Sequence, residues 1–223
     1  TIEEVEIGGK ARAINLALKK VSEEFVILMS GDIIVERKTL QKMLKKLKEQ
    51  NVGAVTGHPI PLNQNNSFVN SFTDLIWKLQ DFISLKEAKA GEILAFKNVI
   101  RSLPEDTAAD EEFIKVLGLN QGYDVKYARK AVIRNESPDD IYDLFKQRRR
   151  IYIGHIDLRK RTKYHPPSMN LILVLKSLIK YLENNGLHPY LFLSLIFESL
   201  SRIDGWIKYN IFKENPYKWK KAD

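Results

Sequence analysis

The apolar run FVILM occupies residues 25–29 and is followed directly by Ser-Gly-Asp at residues 30–32. Such a short continuous apolar run predicts a strand that is buried on both faces. An amphipathic helix is predicted over residues 38–50 and a second short strand over residues 53–56. A strand, a helix and a strand in close succession form a βαβ unit, so the sequence predicts an α/β fold with a parallel sheet.

The rest of the chain alternates in the same way. Helices are predicted over residues 10–20, 72–85 and 108–119, with strands over residues 92–97 and 124–129 and a further helix from Ser137-Pro138. We therefore expect a Rossmann-like, mixed but mainly parallel sheet that is flanked by helices.

The character of the chain changes at His165-Pro166-Pro167, where a helix cannot continue. Two apolar helices with narrow polar stripes are predicted beyond this point, over residues 170–182 and 190–203. We expect a first domain over residues 1–164 and an amphipathic, C-terminal helical hairpin over residues 165–223.

Composition narrows the classes of function. The 223 residues include no cysteine, which excludes a disulfide scaffold, thiolate-bound zinc and a cysteine nucleophile. The formal net charge of +8 favours phosphate-rich ligands, nucleic acid or an anionic membrane surface as partners. No segment supplies the roughly 20 apolar residues that span a bilayer. The expected location is the cytoplasm, either in solution or at the cytoplasmic face of the membrane.

Two acidic positions are candidates for chemistry. Asp32 follows a buried strand, where a carboxylate at the sheet edge can hold a divalent cation, although Ser-Gly-Asp is also an ordinary turn. Asp110, Glu111 and Glu112 open a helix. Acidic residues there complement the helix dipole, but one of them can also act as a general base towards a hydroxyl group.

The third candidate is the basic helix that carries Gln147 and Arg150 on one face. Arginine binds two phosphate oxygens at once. The basic residues between Lys146 and Lys163 contain most of the net charge, so a nucleic-acid patch explains the same run. No aromatic platform accompanies it, which makes nucleic acid the less favoured partner.

Five segments occur in a characteristic order: GKARAIN at residues 9–15, SGD at 30–32, GEILAF at 91–96, ADEEF at 109–113 and QRRRI at 147–151. Their order and spacing resemble the family-two glycosyltransferases of GT-A fold, over about residues 8–155. The resemblance implies an inverting transfer of a sugar from a nucleotide-sugar donor to an acceptor hydroxyl group. The acceptor would belong to polysaccharide, glycolipid or glycoprotein synthesis, and a lipid-linked acceptor would bring the chain to a membrane surface.

The family's motifs carry over to five positions. The resemblance implies that Asp110 is the catalytic base, that Asp32 is the second acid of a DxD-type site for Mn²⁺ or Mg²⁺, and that Gln147 and Arg150 hold the donor diphosphate. Lys10 is a further donor-site candidate.

The chain departs from the family pattern at three positions: Ser30 stands where the first DxD acid is usual, Ala109 precedes the base, and Ile151 replaces the Trp of QxxRW. Ser30 in place of an acid weakens the expected metal site. Ile151 in place of Trp argues against long-chain polymerisation. Family members also carry a strand-helix-strand unit that binds the nucleotide before the GKAxAxN segment. Only eight residues precede Gly9, so we expect either a longer parent protein or an incomplete donor pocket.

Two non-catalytic alternatives remain open. A basic protein could bind nucleic acid through residues 146–163, or the apolar C-terminal helices could attach it to an anionic membrane surface. The same helices could equally pack on the first domain.

Overall fold

A computed structural model describes residues 9–62, 67–187 and 189–215. The start of the motif similarity near Gly8 and the histidine at position 188 lie outside this range. The helices are α1 (Gly9–Lys20), α2 (Thr39–Leu47), α3 (Phe68–Ser84), α4 (Asp110–Asn120), α5 (Ile141–Thr162), α6 (Leu171–Asn185) and α7 (Leu191–Asn210), with a 3-10 turn at Pro167–Met169. The strands are β1 (Phe25–Met29), β2 (Ile33–Val35), β3 (Val52–Pro61), β4 (Ile93–Lys97) and β5 (Asp124–Asn135).

The strands form one mixed sheet in the order β1-β4-β3-β5-β2. This confirms the mixed α/β fold, but the expectation of a mainly parallel sheet is wrong at the level of strand pairing. Only β3 and β5 pair in parallel among the described strands, because β4 is inserted antiparallel between β1 and β3. The predicted βαβ unit therefore has the right direction, but its two strands are not neighbours.

The core lies on both faces of the sheet. Leu94 and Phe96 of β4 pack with residues of α1 and α4, whereas Ile93 and Ala95 pack against α2 on the opposite face. This is the alternation of side chains that a strand imposes. β1 is an edge strand and only half-buried, so the predicted burial on both faces applies to β4 and not to β1.

Helix α5 begins at Ile141, later than the predicted start near Pro138, because the Asp140 carboxylate accepts a hydrogen bond from the Asp143 N–H at 2.8 Å and caps it. It then continues to Thr162 through the whole basic run. The resulting long helix packs against α7.

Both predicted C-terminal helices are present, and they pack on earlier helices of the chain. Helix α6 contacts α3, and α7 contacts α5. The polar side of α7 faces inward: Ser194 and Ser201 are buried, and Glu198 binds Arg148 of α5. Large apolar residues of the two helices point outward instead: Leu171, Ile172, Leu175, Ile179, Phe192, Leu193, Ile196, Leu200, Ile203 and Trp206.

Candidate active site

The five site residues expected from the sequence line one cleft of about 590 Å³. Lys10 comes from the start of α1 and Asp32 from the turn between β1 and β2, whereas Asp110 opens α4. Gln147 and Arg150 come from α5. Segments that are far apart in sequence are thus brought to one side of the sheet, where carboxylates and cations face each other.

Lys10 connects α1 to the acidic start of α4. Its Nζ lies 3.1 Å from Asp110 Oδ2 and also donates a hydrogen bond to Glu111 Oε1. Burial alone would lower the pKa of Lys10, but the two carboxylates raise it. Burial, with the neighbouring charge of Asp110, raises the pKa of Glu111 to about 8. Glu111 therefore holds its proton at a higher pH than an ordinary glutamate does.

Glu112 belongs to a different cluster. Its Oε1 accepts the Ala90 N–H at 3.0 Å, and its Oε2 lies 3.5 Å from the Lys115 ammonium. Lys115 also donates to the Ala88 carbonyl, so this buried ion pair ties the segment before β4 to α4. Glu112 therefore stabilises the contact between α4 and the segment before β4. Asp110 and Glu111 are the acidic pair that faces the cleft.

Around Asp32, the structure supplies carboxylate and amide oxygens that the motif did not indicate. The Ser30 hydroxyl hydrogen-bonds the carboxylate of Glu92, which lies at the start of β4. Burial, together with the charge of Asp32, raises the pKa of Glu92. Asn135 pairs with Ile33, next to Asp32 in the chain, and its buried Oδ1 has no hydrogen-bond partner among the described residues.

These oxygens only partly fit a divalent cation. Mg²⁺ and Mn²⁺ prefer oxygen ligands, and Asp32 with the unpartnered Asn135 Oδ1 provides them at the cleft wall. Within the described ranges, however, no group of three or more His, Asp or Glu side chains is arranged to hold a metal ion. A cation would need further oxygens from a bound ligand and water.

The α5 basic helix divides its residues between two sides. Gln147 and Arg150 line the cleft, as their spacing predicts. Arg148 forms two hydrogen bonds to Glu198, and Arg149 binds Asp204, both on α7. Burial lowers the pKa of Arg150, an effect that Asp110 and Glu111 oppose. The cleft thus holds a desolvated guanidinium group.

Half of the cations in the basic run form ion pairs with carboxylates. Besides Arg148 and Arg149, Arg161 binds Asp106 and Asp157, and Lys146 binds Asp143. Because these cations already have acidic partners, the run does not form the uniform positive surface that the nucleic-acid alternative requires.

The described histidines, His58, His155 and His165, do not form a metal site. His58 hydrogen-bonds Tyr127, whose hydroxyl group donates to Asp81 at 2.7 Å, in a cluster between α3 and the sheet. His165 is exposed. His155 is buried at the inner end of the cleft, and desolvation keeps its pKa well below the usual value.

Three charged or amide residues of the cleft were missed by the sequence reasoning: Lys89, Glu92 and Asn135. Glu92 stands inside a quoted motif, so its position was a usable signal. Lys89 and Asn135 carry no sequence signal, because the strand pairing and the ion pair of Glu112 place them there.

Comparison with known proteins agrees with this geometry. Residues 2–97 match the sequence model described as glycosyl transferase family 2. Poly-beta-1,6-N-acetyl-D-glucosamine synthases of Staphylococcus aureus strains COL and N315 are each 26% identical over 152 residues, which cover 63% of this chain. The chain spans only 37% of the length of these curated relatives.

A solved structure has a similar fold. The mannosyltransferase PcManGT from Pyrobaculum calidifontis, in complex with GDP-Man and Mn2+, superimposes with a TM-score of 0.58 and 22% identity, over 96% of this chain and 70% of that one. The likeness to PcManGT extends over nearly the whole chain and is a likeness of fold. The match to the glycosyl transferase family 2 model lies in the N-terminal part of the chain, over residues 2–97.

None of the described helices combines the length and the apolar character that crossing a bilayer requires.

Proposed function

We propose that this chain transfers a sugar from a nucleotide-sugar donor to an acceptor hydroxyl group with inversion at the anomeric carbon. The observation that carries the proposal is that Lys10, Asp32, Asp110, Gln147 and Arg150 line one cleft. The family match and the fold of PcManGT, which binds GDP-Man and Mn2+, support the same reaction class.

The donor diphosphate would lie between Arg150, Gln147 and Lys10. Arg150 offers a planar fork for two phosphate oxygens, and its partial burial strengthens the attraction because water screens it less. As the bond between the anomeric carbon and the diphosphate oxygen breaks, negative charge accumulates on the leaving group. The guanidinium and ammonium groups would stabilise that charge.

Asp32 would hold a divalent cation, with Asn135 as a candidate second oxygen ligand. When bound, such a cation neutralises diphosphate charge. Since Ser30 replaces an acid and hydrogen-bonds Glu92, we expect the cation to bind weakly without the nucleotide.

The acidic pair at the start of α4 would supply the general base. We assign that role to Asp110, which would take the proton of the acceptor hydroxyl group as its oxygen bonds to the anomeric carbon. Glu111 and Asp110 both contact the Lys10 ammonium group. The protonation state of Glu111 would therefore determine the total charge of the two carboxyl groups. The acceptor is proposed to be a glycan or a lipid-linked sugar, met in the cytoplasm or at its membrane face.

Donor binding is tested first by calorimetric titration of UDP and GDP, with and without Mn²⁺. Asp32→Ala should remove the metal-dependent part of the affinity, whereas Asp139→Ala, at an exposed position outside the cleft, should leave it unchanged. Arg150→Gln should weaken nucleotide binding at least tenfold, and Arg159→Gln on the exposed side of the same helix should not. If each cleft variant bound nucleotide as its exposed control does, the assignment of the donor site would be contradicted.

The base is tested by transfer assays of Asp110→Asn and Glu111→Gln with the donor that the titrations identify. Loss of two or more orders of magnitude in kcat for Asp110→Asn, with nucleotide affinity retained, is the expected result. Full activity of Asp110→Asn together with an inactive Glu111→Gln would move the role to Glu111.

A further inference from the structure

The carboxylate that position 30 lacks is present on the neighbouring strand. β1 and β4 pair antiparallel with Met29 opposite Ile93, so the next step along both strands places Ser30 opposite Glu92. The Ser30 N–H donates a hydrogen bond to the Glu92 carbonyl group at 2.9 Å, so the pairing continues past the end of β1. Opposite residues of an antiparallel pair project from the same face of the sheet. Glu92 therefore presents its carboxylate on the side where an acid at position 30 would lie.

The two side chains also contact each other. Ser30 and Glu92 both line the candidate active-site cleft, and the Ser30 hydroxyl group hydrogen-bonds the Glu92 carboxylate. This contact holds the carboxylate beside the turn of residues 30–32. Neighbouring strands lie about 4.8 Å apart, and the additional methylene group of Glu relative to Asp partly offsets this distance.

Asp32 and Glu92 concentrate negative charge at this wall of the cleft. Both residues line it, and they lie near enough for the charge of Asp32 to act unfavourably on an ionised Glu92. Two carboxylates that repel each other in a cleft are brought together favourably by a divalent cation, which prefers oxygen ligands.

A third oxygen comes from β5. Asn135 pairs with Ile33, the residue after Asp32, and lines the same cleft. Asn135 is 4% exposed, and its Oδ1 has no hydrogen-bond partner among the described residues. A buried amide oxygen without a partner is costly, so this atom indicates a ligand at the cleft wall.

This set of oxygens suits a cation that binds together with a nucleotide. Mg²⁺ is commonly held by one or two carboxylates, and water and substrate phosphates fill the remaining positions. Over the described ranges, no third Asp, Glu or His joins a group that could hold a metal ion by itself. Two carboxylates and one amide oxygen therefore leave positions for the diphosphate.

We propose that Glu92 replaces, from the adjacent strand, the acid that the DxD-type motif lacks at position 30. Asp32 and Glu92 together hold the divalent cation, Asn135 Oδ1 is a further ligand, and the Ser30 hydroxyl group positions the Glu92 carboxylate. This assignment rests on the proposed transfer from a nucleotide-sugar donor and adds a residue to its cation site.

The test measures Mn²⁺ affinity through the relaxation of water protons, which quickens when Mn²⁺ binds to a macromolecule. Each titration is run with UDP, with GDP and without nucleotide, and is compared with the same nucleotide in the absence of the chain. Glu92→Gln should lower Mn²⁺ affinity about tenfold or more, whereas the exposed Glu105→Gln should leave it unchanged. In the Glu92→Gln chain, adding Ser30→Asp should restore most of the affinity, and adding its neutral counterpart Ser30→Asn should not.

Equal Mn²⁺ affinity of Glu92→Gln and Glu105→Gln would overturn the proposal. A loss in Glu92→Gln that Ser30→Asp does not reverse, with circular dichroism unchanged, would also overturn it. If Glu92→Gln does not fold, Glu92→Asp keeps the charge but withdraws the carboxylate by one methylene group, and an unchanged Mn²⁺ affinity in that variant would refute the role of Glu92.

Nucleotide affinity is measured in parallel by calorimetry. UDP or GDP binding that depends on Arg150, together with Mn²⁺ binding that does not depend on Glu92, would confine the failure to the cation site. Absence of nucleotide binding to the unmodified chain would contradict the proposed transfer itself. Absence of Mn²⁺ binding under all three conditions would overturn the assignment of Glu92.

Discussion

The Asn15 side chain forms two hydrogen bonds with the backbone of Leu103. Its Nδ2 donates to the Leu103 carbonyl at 2.9 Å, and its Oδ1 accepts the Leu103 N–H at 2.7 Å. Asn15 is the last residue of the GKAxAxN segment, and Leu103 lies in the connection between β4 and α4 that leads to Asp110. The amide thus fixes the distance between α1, which carries Lys10, and the acidic start of α4.

Asn15→Ala should lower the free energy of unfolding by about 2 kcal/mol, because it leaves a buried backbone donor and acceptor of Leu103 without partners. Urea unfolding measures this change. Arg12→Ala is the matched control on the exposed side of α1 and should change stability by less than about 0.5 kcal/mol. Equal effects of the two substitutions would show that the amide bridge contributes no stability.

The raised pKa of Glu111, about 8, predicts a pH-dependent stability. Between its usual value near 4.5 and 8, the folded chain holds a proton that the unfolded chain releases, so the free energy of unfolding should fall as pH rises through this range. Glu111→Gln should remove that slope. Urea unfolding at pH 5 and pH 8 measures this slope, and Glu105→Gln is the exposed control. An unchanged slope in Glu111→Gln would contradict the raised pKa of Glu111.

Glu198 predicts the opposite pH response. Burial would raise its pKa, but Arg148 and Arg202 lower it to about 2. The stability that Glu198 provides is therefore complete above about pH 4.5 and is lost as pH falls towards 2. In Glu198→Gln, thermal unfolding followed between pH 3 and 6 should lose this acid-sensitive part, and an unaltered profile would argue against it.

Removing the Glu198 charge also leaves Arg148 buried without its carboxylate. Glu198→Gln should cost about 3 kcal/mol at pH 7, since an uncompensated buried charge is more costly than a pair that is replaced as a whole. The double variant Arg148→Met, Glu198→Leu should therefore be more stable than Glu198→Gln. A double variant that is less stable would show that the ion pair itself provides the attraction between α5 and α7.

Two helical glycines provide a matched test of the contact between α5 and α7. A Cβ at Gly205 would lie 3.1 Å from Tyr152 Cδ1 and 3.3 Å from the Arg149 carbonyl, whereas a Cβ at Gly118 would meet nothing within 4 Å. Gly118→Ala should raise the free energy of unfolding by about 1 kcal/mol through helix propensity. Gly205→Ala should give no gain, because α7 must shift; equal gains in thermal unfolding would rule out this tight packing.

The amino-acid sequence was informative wherever the signal is local along the chain. The hydrophobic periodicity located helices and strands such as β1 (Phe25–Met29) and α7, because a side chain's place on a helix or strand depends on its nearest neighbours in sequence. It missed the short β2 (Ile33–Val35), which forms only by pairing with the end of β5. Motif order brought Asp32, Asp110 and the Gln147–Arg150 face together as candidates before their positions in space were known.

The tertiary structure decided what depends on partners distant in sequence. The position at a helix start did not distinguish Asp110, Glu111 and Glu112, and only the motif resemblance singled out Asp110. In the structure, Lys10 contacts the first two and Lys115 the third. The same dependence explains why β4 separates β1 from β3 and why the polar side of α7 faces inward. Local periodicity specifies which residues share a face, but the charges and unpaired strand edges of the remaining chain determine what that face meets.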